Sequence, residues 1–227
     1  MKVKLAIFDL DQTLIDTLPR FYRVFNKTLK IYGLPEVDWR SFIDRYKRDD
    51  LDALIFPPTL VEDFWDTFLR IYDEEHFEDD KVIGGVIKCL SFLKNAGIRV
   101  VVVTGRKSSR ERVWENLRYH GLDRYINEVY TAENLKNHEF RFSKKELIIE
   151  IMKKYGVLPS EVIFVGDYKY DMMSGRKAGV FTIGVLTGYE SRETLLKYGA
   201  DVVVESVASI PEYLKKMECE KGVSSNR

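Results

Sequence analysis

The chain is poor in the residues that build disulfide scaffolds and soft metal centres. Its two cysteines, Cys89 and Cys219, stand far apart among 227 residues and lack a Cys or His at metal-ligand spacing. Its three histidines, His76, His120 and His138, are equally scattered. Glutamine occurs once, at Gln12, while Lys and Glu abound, a bias shared with proteins from hot environments. Lys plus Arg and Asp plus Glu each total 36, so no net charge draws the chain to nucleic acid or an anionic membrane. No apolar run reaches membrane-spanning length, and the N-terminal run is broken by Asp9 and Asp11 too early for a signal-peptide core. These absences lead us to expect a cytoplasmic protein with reduced thiols, no nucleic acid partner and no membrane.

What is present is a set of short β-branched runs, apolar on both faces: 4–11, 97–106, 161–167, 180–186 and 200–206, with a shorter candidate at 127–133. Continuous apolarity marks strands covered on both sides. Helical patterns lie between them at 86–95, 108–120, 143–155 and 171–178, several followed by a glycine suited to a helix C-cap. The alternation predicts an α/β fold: a doubly wound, mainly parallel, Rossmann-like sheet.

Residues 17–80 break the alternation. Leu18, Phe21, Tyr22, Phe25 and Leu29, then Phe64, Trp65, Phe68 and Tyr72, recur at three- and four-residue intervals. We expect a small helical cap domain over 17–80, inserted into a core of 1–16 and 81–218, with a polar, frayed tail at 219–227. The aromatics suit the insertion's own core and its contact with the sheet. They could equally bury surface against a partner chain, so no oligomeric state is assigned.

In an open parallel sheet, ligands bind beyond the carboxyl ends of the strands. There the first strand delivers Asp9, with Asp11 and Thr13 just after it. The 97–106 strand delivers Thr104, Gly105 and Arg106, and the 161–167 strand delivers Asp167, with Asp171 four residues on. Gathered carboxylates repel and raise one another's pKa unless a cation neutralises them. An oxygen-only donor set without His or Cys suits Mg2+. Carboxylates, a hydroxyl, a lysine and a divalent cation around one anion make a kit for phosphoryl transfer. Gly105 and Gly166 would let the backbone approach a phosphate.

"DLDQT" (9–13), "VVVTG" (101–105) and "VGDYKYD" (165–171) resemble, in order, the motifs of the haloacid-dehalogenase-like superfamily, in its phosphoglycolate-phosphatase-like subgroup with a helical cap after the first strand. The resemblance implies Asp9 as the nucleophile that forms an aspartyl-phosphate, and Asp11 as the acid that protonates the leaving alcohol and then serves as base. It implies Mg2+ held by Asp9, Asp167 and the Asp11 backbone carbonyl, and Thr104 on a phosphoryl oxygen. A lysine would neutralise the transferring group, with Asp171 orienting it or a metal-bound water. The lysine of the K-P-x-P pattern is missing: Phe142 stands in its place, and we favour Lys144 over Lys145. Arg106 could contact substrate or simply begin a solvated helix. Thr13 is expected to bond the backbone of its tight turn, and Asp16 or Thr17 to cap the first inserted helix or line the site. Gln12 replaces a glycine common at that position.

The implied activity is Mg2+-dependent hydrolysis of a small phosphorylated metabolite, such as phosphoglycolate, a sugar phosphate or a nucleotide. A phosphomutase would share the intermediate, and a non-catalytic phosphate-binding member would share the fold. A signalling receiver domain also phosphorylates a strand-end Asp, but Asp11 and the insertion count against it.

Overall fold

A computed structural model describes residues 2–134 and 143–224. His138 and Phe142 lie outside these residues. In chain order the elements are β1 (Leu5–Phe8), β2 (Ile15–Asp16), α1 (Leu18–Ile31), α2 (Trp39–Tyr46), α3 (Val61–Glu74), β3 (Lys81–Val82), α4 (Val86–Asn95), β4 (Arg99–Val103) and α5 (Arg110–Tyr119). They continue with β5 (Glu128–Tyr130), α6 (Lys145–Tyr155), β6 (Val162–Gly166), α7 (Lys169–Ala178), β7 (Phe181–Val185), α8 (Arg192–Tyr198), β8 (Val202–Val204) and α9 (Ile210–Ser224).

Six strands form one parallel sheet in the order β5-β4-β1-β6-β7-β8. β1 is central: Ala6 pairs with Val100 on one side and Ile163 on the other, and Phe8 with Val102 and Val165. Because side chains alternate across a strand, Ala6, Phe8, Val100, Val102, Ile163 and Val165 enter one apolar core. Their neighbours Leu5, Ile7, Val101, Val103, Val162 and Phe164 enter the other. Two buried faces explain why these strands read as unbroken apolar runs. The strand order reverses at β1, between β4 and β6, which places the ligand-binding crevice of a doubly wound sheet at the carboxyl ends of these strands. Gly156 and Gly179 close α6 and α7 in the left-handed conformation, with φ of 63° and 77°.

The chain divides into two compact units, Met1–Ile15 with Val82–Arg227, and Asp16–Lys81. The second unit contains α1, α2 and α3, and its core gathers Phe25, Phe42, Phe64 and Phe68 with Phe21 and Trp65 packed against them. Phe21 and Phe68 approach to 4.6 Å between ring centroids. Arg20 lies buried in the same unit: its Nε donates to Asp80 at 2.9 Å, and its two terminal nitrogens donate to the Tyr72 hydroxyl and carbonyl at 2.9 and 3.2 Å. Asp16, rather than Thr17, supports the start of α1, its carboxylate accepting from the Leu18 amide at 3.1 Å.

Three features depart from the sequence expectations. Ile15–Asp16 and Lys81–Val82 pair as a two-stranded ribbon, too short for any periodic signal. α8 and α9 occupy segments to which no helix had been assigned. Residues 219–224, expected to be frayed, continue α9, and residues 225–227 lie outside the described chain.

Candidate active site

Continuous sheet packing carries β1, β4 and β6 to a common end, where Asp9, Thr104 and Asp167 follow their last residues. The Asp9 amide donates to the Val165 carbonyl at 2.8 Å, and the Thr104 amide to the Tyr130 carbonyl at 3.0 Å, so both residues remain tied to the sheet. One carboxylate oxygen from each of Asp9, Asp167 and Asp171 falls within 4.8 Å of the others, and all three residues are buried.

Lys144, at the N-cap of α6, is inserted into this cluster. Its Nζ donates to Asp9 Oδ1 at 2.5 Å and to Asp171 Oδ1 at 2.7 Å. Its backbone amide donates to the Ser174 hydroxyl at 3.0 Å, and that hydroxyl donates to the Tyr170 carbonyl, so α7 holds the start of α6 in place. Lys145 instead faces the surface, 3.7 Å from Glu146. Sequence reading gave no role to Ser174. A small hydroxyl residue in a helix carries no local sign that it will meet a distant amide.

The charges are unbalanced. Burial drives the Asp9 carboxyl well above its ordinary range; Lys144 pulls it down, while Asp171 and Asp11 push it further up. Asp167 is also raised, by burial first and then by repulsion from Asp9 and Asp171. Burial alone would lower the Lys144 pKa, but the carboxylates of Asp171 and Asp9 outweigh it and the net shift is upward. Three buried carboxylates around one ammonium leave an excess of negative charge. All-oxygen donors and that excess fit a divalent cation.

The remaining candidates support this cluster or border it. Thr13 does more than close its turn: its amide bonds to the Leu10 carbonyl, but its hydroxyl donates to Asp167 Oδ1 at 2.8 Å. Gln12 has φ of 60°, the left-handed region that favours the glycine it replaces. A Cβ at Gly166 would meet Asp171 at 2.6 Å, so Gly166 answers to the protein's own packing rather than to a phosphate. Gly105 has open space where its Cβ would stand. Gly188, absent from the sequence reading, is required by close approach: a Cβ there would lie 2.0 Å from Asp167 Oδ2. Its only signal was a glycine shortly after a strand.

Asp11 lies apart from the metal-type cluster as a side chain. Thr104 Oγ1 donates to its Oδ2 at 3.3 Å, and Arg106 grips both of its oxygens, at 2.6 Å from Nη2 and 2.9 Å from Nε. The expectation that Arg106 begins a solvated helix therefore needs correction. α5 begins at Arg110, capped by Ser109, and the Arg106 side chain is only 8% exposed.

The fold is α/β, with an acid-rich crevice at the carboxyl ends of its strands. Residues 6–185 match the model of the haloacid dehalogenase-like hydrolase family, and the chain belongs to that family, as a hydrolase of the phosphatase type. The pyrophosphatase PpaX of Bacillus velezensis is 30% identical over 220 residues, covering 92% of this chain and 95% of its own. The N-acetylmuramic acid 6-phosphate phosphatase of Pseudomonas aeruginosa is 28% identical over 229 residues, covering 97% and 98%. A solved haloacid dehalogenase-like family hydrolase of Streptococcus pneumoniae superposes with a TM-score of 0.77 over 93% of this chain and 98% of its own; at 18% identity it speaks for the fold. Members of this family generally use a divalent metal, and the three buried aspartates could hold one.

Proposed function

We propose that this chain is a Mg2+-dependent phosphatase of small phosphorylated metabolites, acting through an aspartyl-phosphate on Asp9. The observation that carries the reading is the excess of buried carboxylate around Lys144 at the ends of β1 and β6. Asp9, Asp167 and the Asp11 backbone carbonyl would hold the cation, with Asp171 close by. When bound, it would offset the repulsion among the carboxylates and draw negative charge from a phosphoryl oxygen.

Asp9 attacks phosphorus with a carboxylate oxygen, and the bond to the leaving oxygen breaks. Lys144 neutralises the transferring group while its second bond, to Asp171, keeps the ammonium oriented. Thr104 holds a phosphoryl oxygen, and Gly105 leaves room for it. Asp11 gives a proton to the leaving oxygen, then takes one from the water that hydrolyses the Asp9 acyl phosphate. Thr13 and Gly188 keep the Asp167 carboxylate in place. Residues 16–81 form, in this reading, the cap that selects substrate and excludes bulk water.

The substrate class comprises phosphoglycolate, sugar phosphates and nucleotides. The relatives named for pyrophosphate and for N-acetylmuramic acid 6-phosphate support a compact phosphorylated compound. Among the described residues no helix is long and apolar enough to cross a membrane. The buried, free Cys89 and the scarcity of cysteine support a cytoplasmic setting.

The direct test is phosphate release from an aryl phosphate with Mg2+, with EDTA, and by Asp9→Asn. Release should require the metal and fall at least about 10^4-fold in the variant, because the nucleophile is lost. Near-normal turnover by Asp9→Asn would overturn the assignment. Phosphate passed to an added sugar rather than to water would point to a mutase.

A further inference from the structure

The Arg106 guanidinium is buried, and it is pointed at Asp11, a carboxylate of the mouth that Lys144 does not bond. Its Nε and Nη2 both reach Asp11, while Nη1 donates to Asn116 Oδ1 at 3.3 Å. Its backbone is also fixed: the Arg106 amide donates to Thr104 Oγ1 at 3.2 Å, and the Arg106 carbonyl accepts from the Ala132 amide at 2.8 Å. Asn116 lies on the buried face of α5 between Val113 and Leu117 and is wholly inaccessible to solvent. A buried amide on an apolar helix face costs stability unless its polar atoms are used. Here its carbonyl oxygen is spent on Arg106.

We propose that Asn116 and Arg106 are positioning residues that act through Asp11. Asn116 anchors the guanidinium, and the guanidinium fixes the rotamer of the Asp11 carboxyl, which Thr104 meets from a second side. The fork of a guanidinium holds both oxygens while Asp11 is ionised, which an ammonium cannot do; when Asp11 carries the proton for the leaving oxygen, the protonated Oδ2 gives up its bond from Arg106 and Oδ1 keeps its own. A side chain 31% exposed at the edge of the crevice would otherwise sample several rotamers. The proposal rests on the phosphatase reading above, in which Asp11 serves the leaving oxygen. It differs from a phosphate-binding role for Arg106, in which the guanidinium would touch the transferred group.

Leaving-group dependence separates these roles. A dinitrophenolate leaves without a proton, whereas an alkoxide needs one, so a residue that positions Asp11 matters for alkyl phosphates and little for dinitrophenyl phosphate. For Arg106→Ala, kcat/KM should fall about 10^2-fold with an alkyl phosphate, carried by kcat, and less than about fivefold with dinitrophenyl phosphate. Arg106→Lys should recover part of the alkyl activity. Asn116→Leu, isosteric and away from the crevice, should shift the alkyl to aryl ratio in the same direction by about three- to tenfold. In an Asp11→Asn background, Arg106→Ala should add less than about twofold, since residues acting as one unit are not additive. Circular dichroism and melting of each variant separate loss of fold from loss of positioning.

Equal losses on both esters with a raised KM would make Arg106 a phosphate binder and overturn the proposal. A gain on the alkyl ester would mean that the ion pair restrains Asp11, and would overturn it as well. If the wild-type protein releases no phosphate from either ester with Mg2+, the phosphatase reading fails and this proposal with it.

Discussion

Two buried ionic clusters, one in each compact unit, differ in a way that separates architecture from chemistry. In the helical unit, Arg20 pairs with Asp80, and its terminal nitrogens donate to the Tyr72 carbonyl and hydroxyl. In the sheet unit, Lys144 meets Asp9 and Asp171 while Asp167 stands within reach of both. A balanced, hydrogen-bonded pair is a finished structure, even if apolar residues of similar volume would serve stability as well. An unbalanced cluster fits a cation that would complete its charge. Burial of charge alone therefore does not mark the site; the surplus does.

The sharpest way to break this contrast is to remove the cation from each cluster. Lys144→Met should lower kcat about 10^3-fold because the transferring group loses its counter-charge, as read from phosphate release under saturating substrate. Arg20→Met should instead appear in stability, with a loss of about 3 to 5 kcal/mol in urea unfolding as Asp80 is left buried and unpaired. The double change Arg20→Met with Asp80→Leu should regain most of that loss. No comparable apolar replacement should restore function to the Lys144 cluster. Regained activity there would erase the distinction.

The next effect is that of pH on the metal-free protein. Burial pushes the Asp9 carboxyl from 3.8 up to about 7, and Asp167 moves in the same direction. Between pH 4 and about pH 7 the folded chain therefore holds protons that the unfolded chain has released. Its stability falls as pH rises through that window, by up to about 1.4 kcal/mol per pH unit for Asp9, with Asp167 adding in the same direction. Urea midpoints in EDTA should be lower at pH 7.5 than at pH 5, and Mg2+ should reduce the difference by neutralising the cluster. A midpoint that rises over this interval would show that the carboxylates are not in excess.

A smaller effect is expected at Gly188, where an added Cβ would collide with the Asp167 carboxylate. Gly188→Ala should weaken Mg2+ binding about tenfold, read by calorimetry, as the Asp167 carboxylate is displaced. Smallest of all is Lys145→Ala: its ammonium faces Glu146 at the surface, and kcat should change less than about twofold.

Much of the sheet could be read from sequence because its strands are buried on both faces and therefore continuously apolar. The position of Asp9, Thr104 and Asp167 could be read because they directly follow those runs. Other features depend on meetings that local pattern does not encode. Arg20 sits on an amphipathic helix where a cation normally signals solvent, and only Asp80, far along the chain, explains its burial. Arg106 reads as a substrate contact or the start of a solvated helix, with nothing local to show its fold back to Asp11, and no local signal marks Asn116. α8 and α9 went unassigned because one is short and the other mixes lysine and glutamate with few apolar residues. Two-residue strands such as β2 and β3 fall below the length at which alternation can exist.

That ribbon has a consequence beyond its size. Because residues 15–16 and 81–82 lie side by side, the inserted unit begins and ends at nearly one point. Replacing it with a different loop or a different bundle would ask the sheet only to accept another pair of adjoining ends. The strand-end aspartates all belong to segments outside the insertion, so such an exchange would leave their own backbone in place.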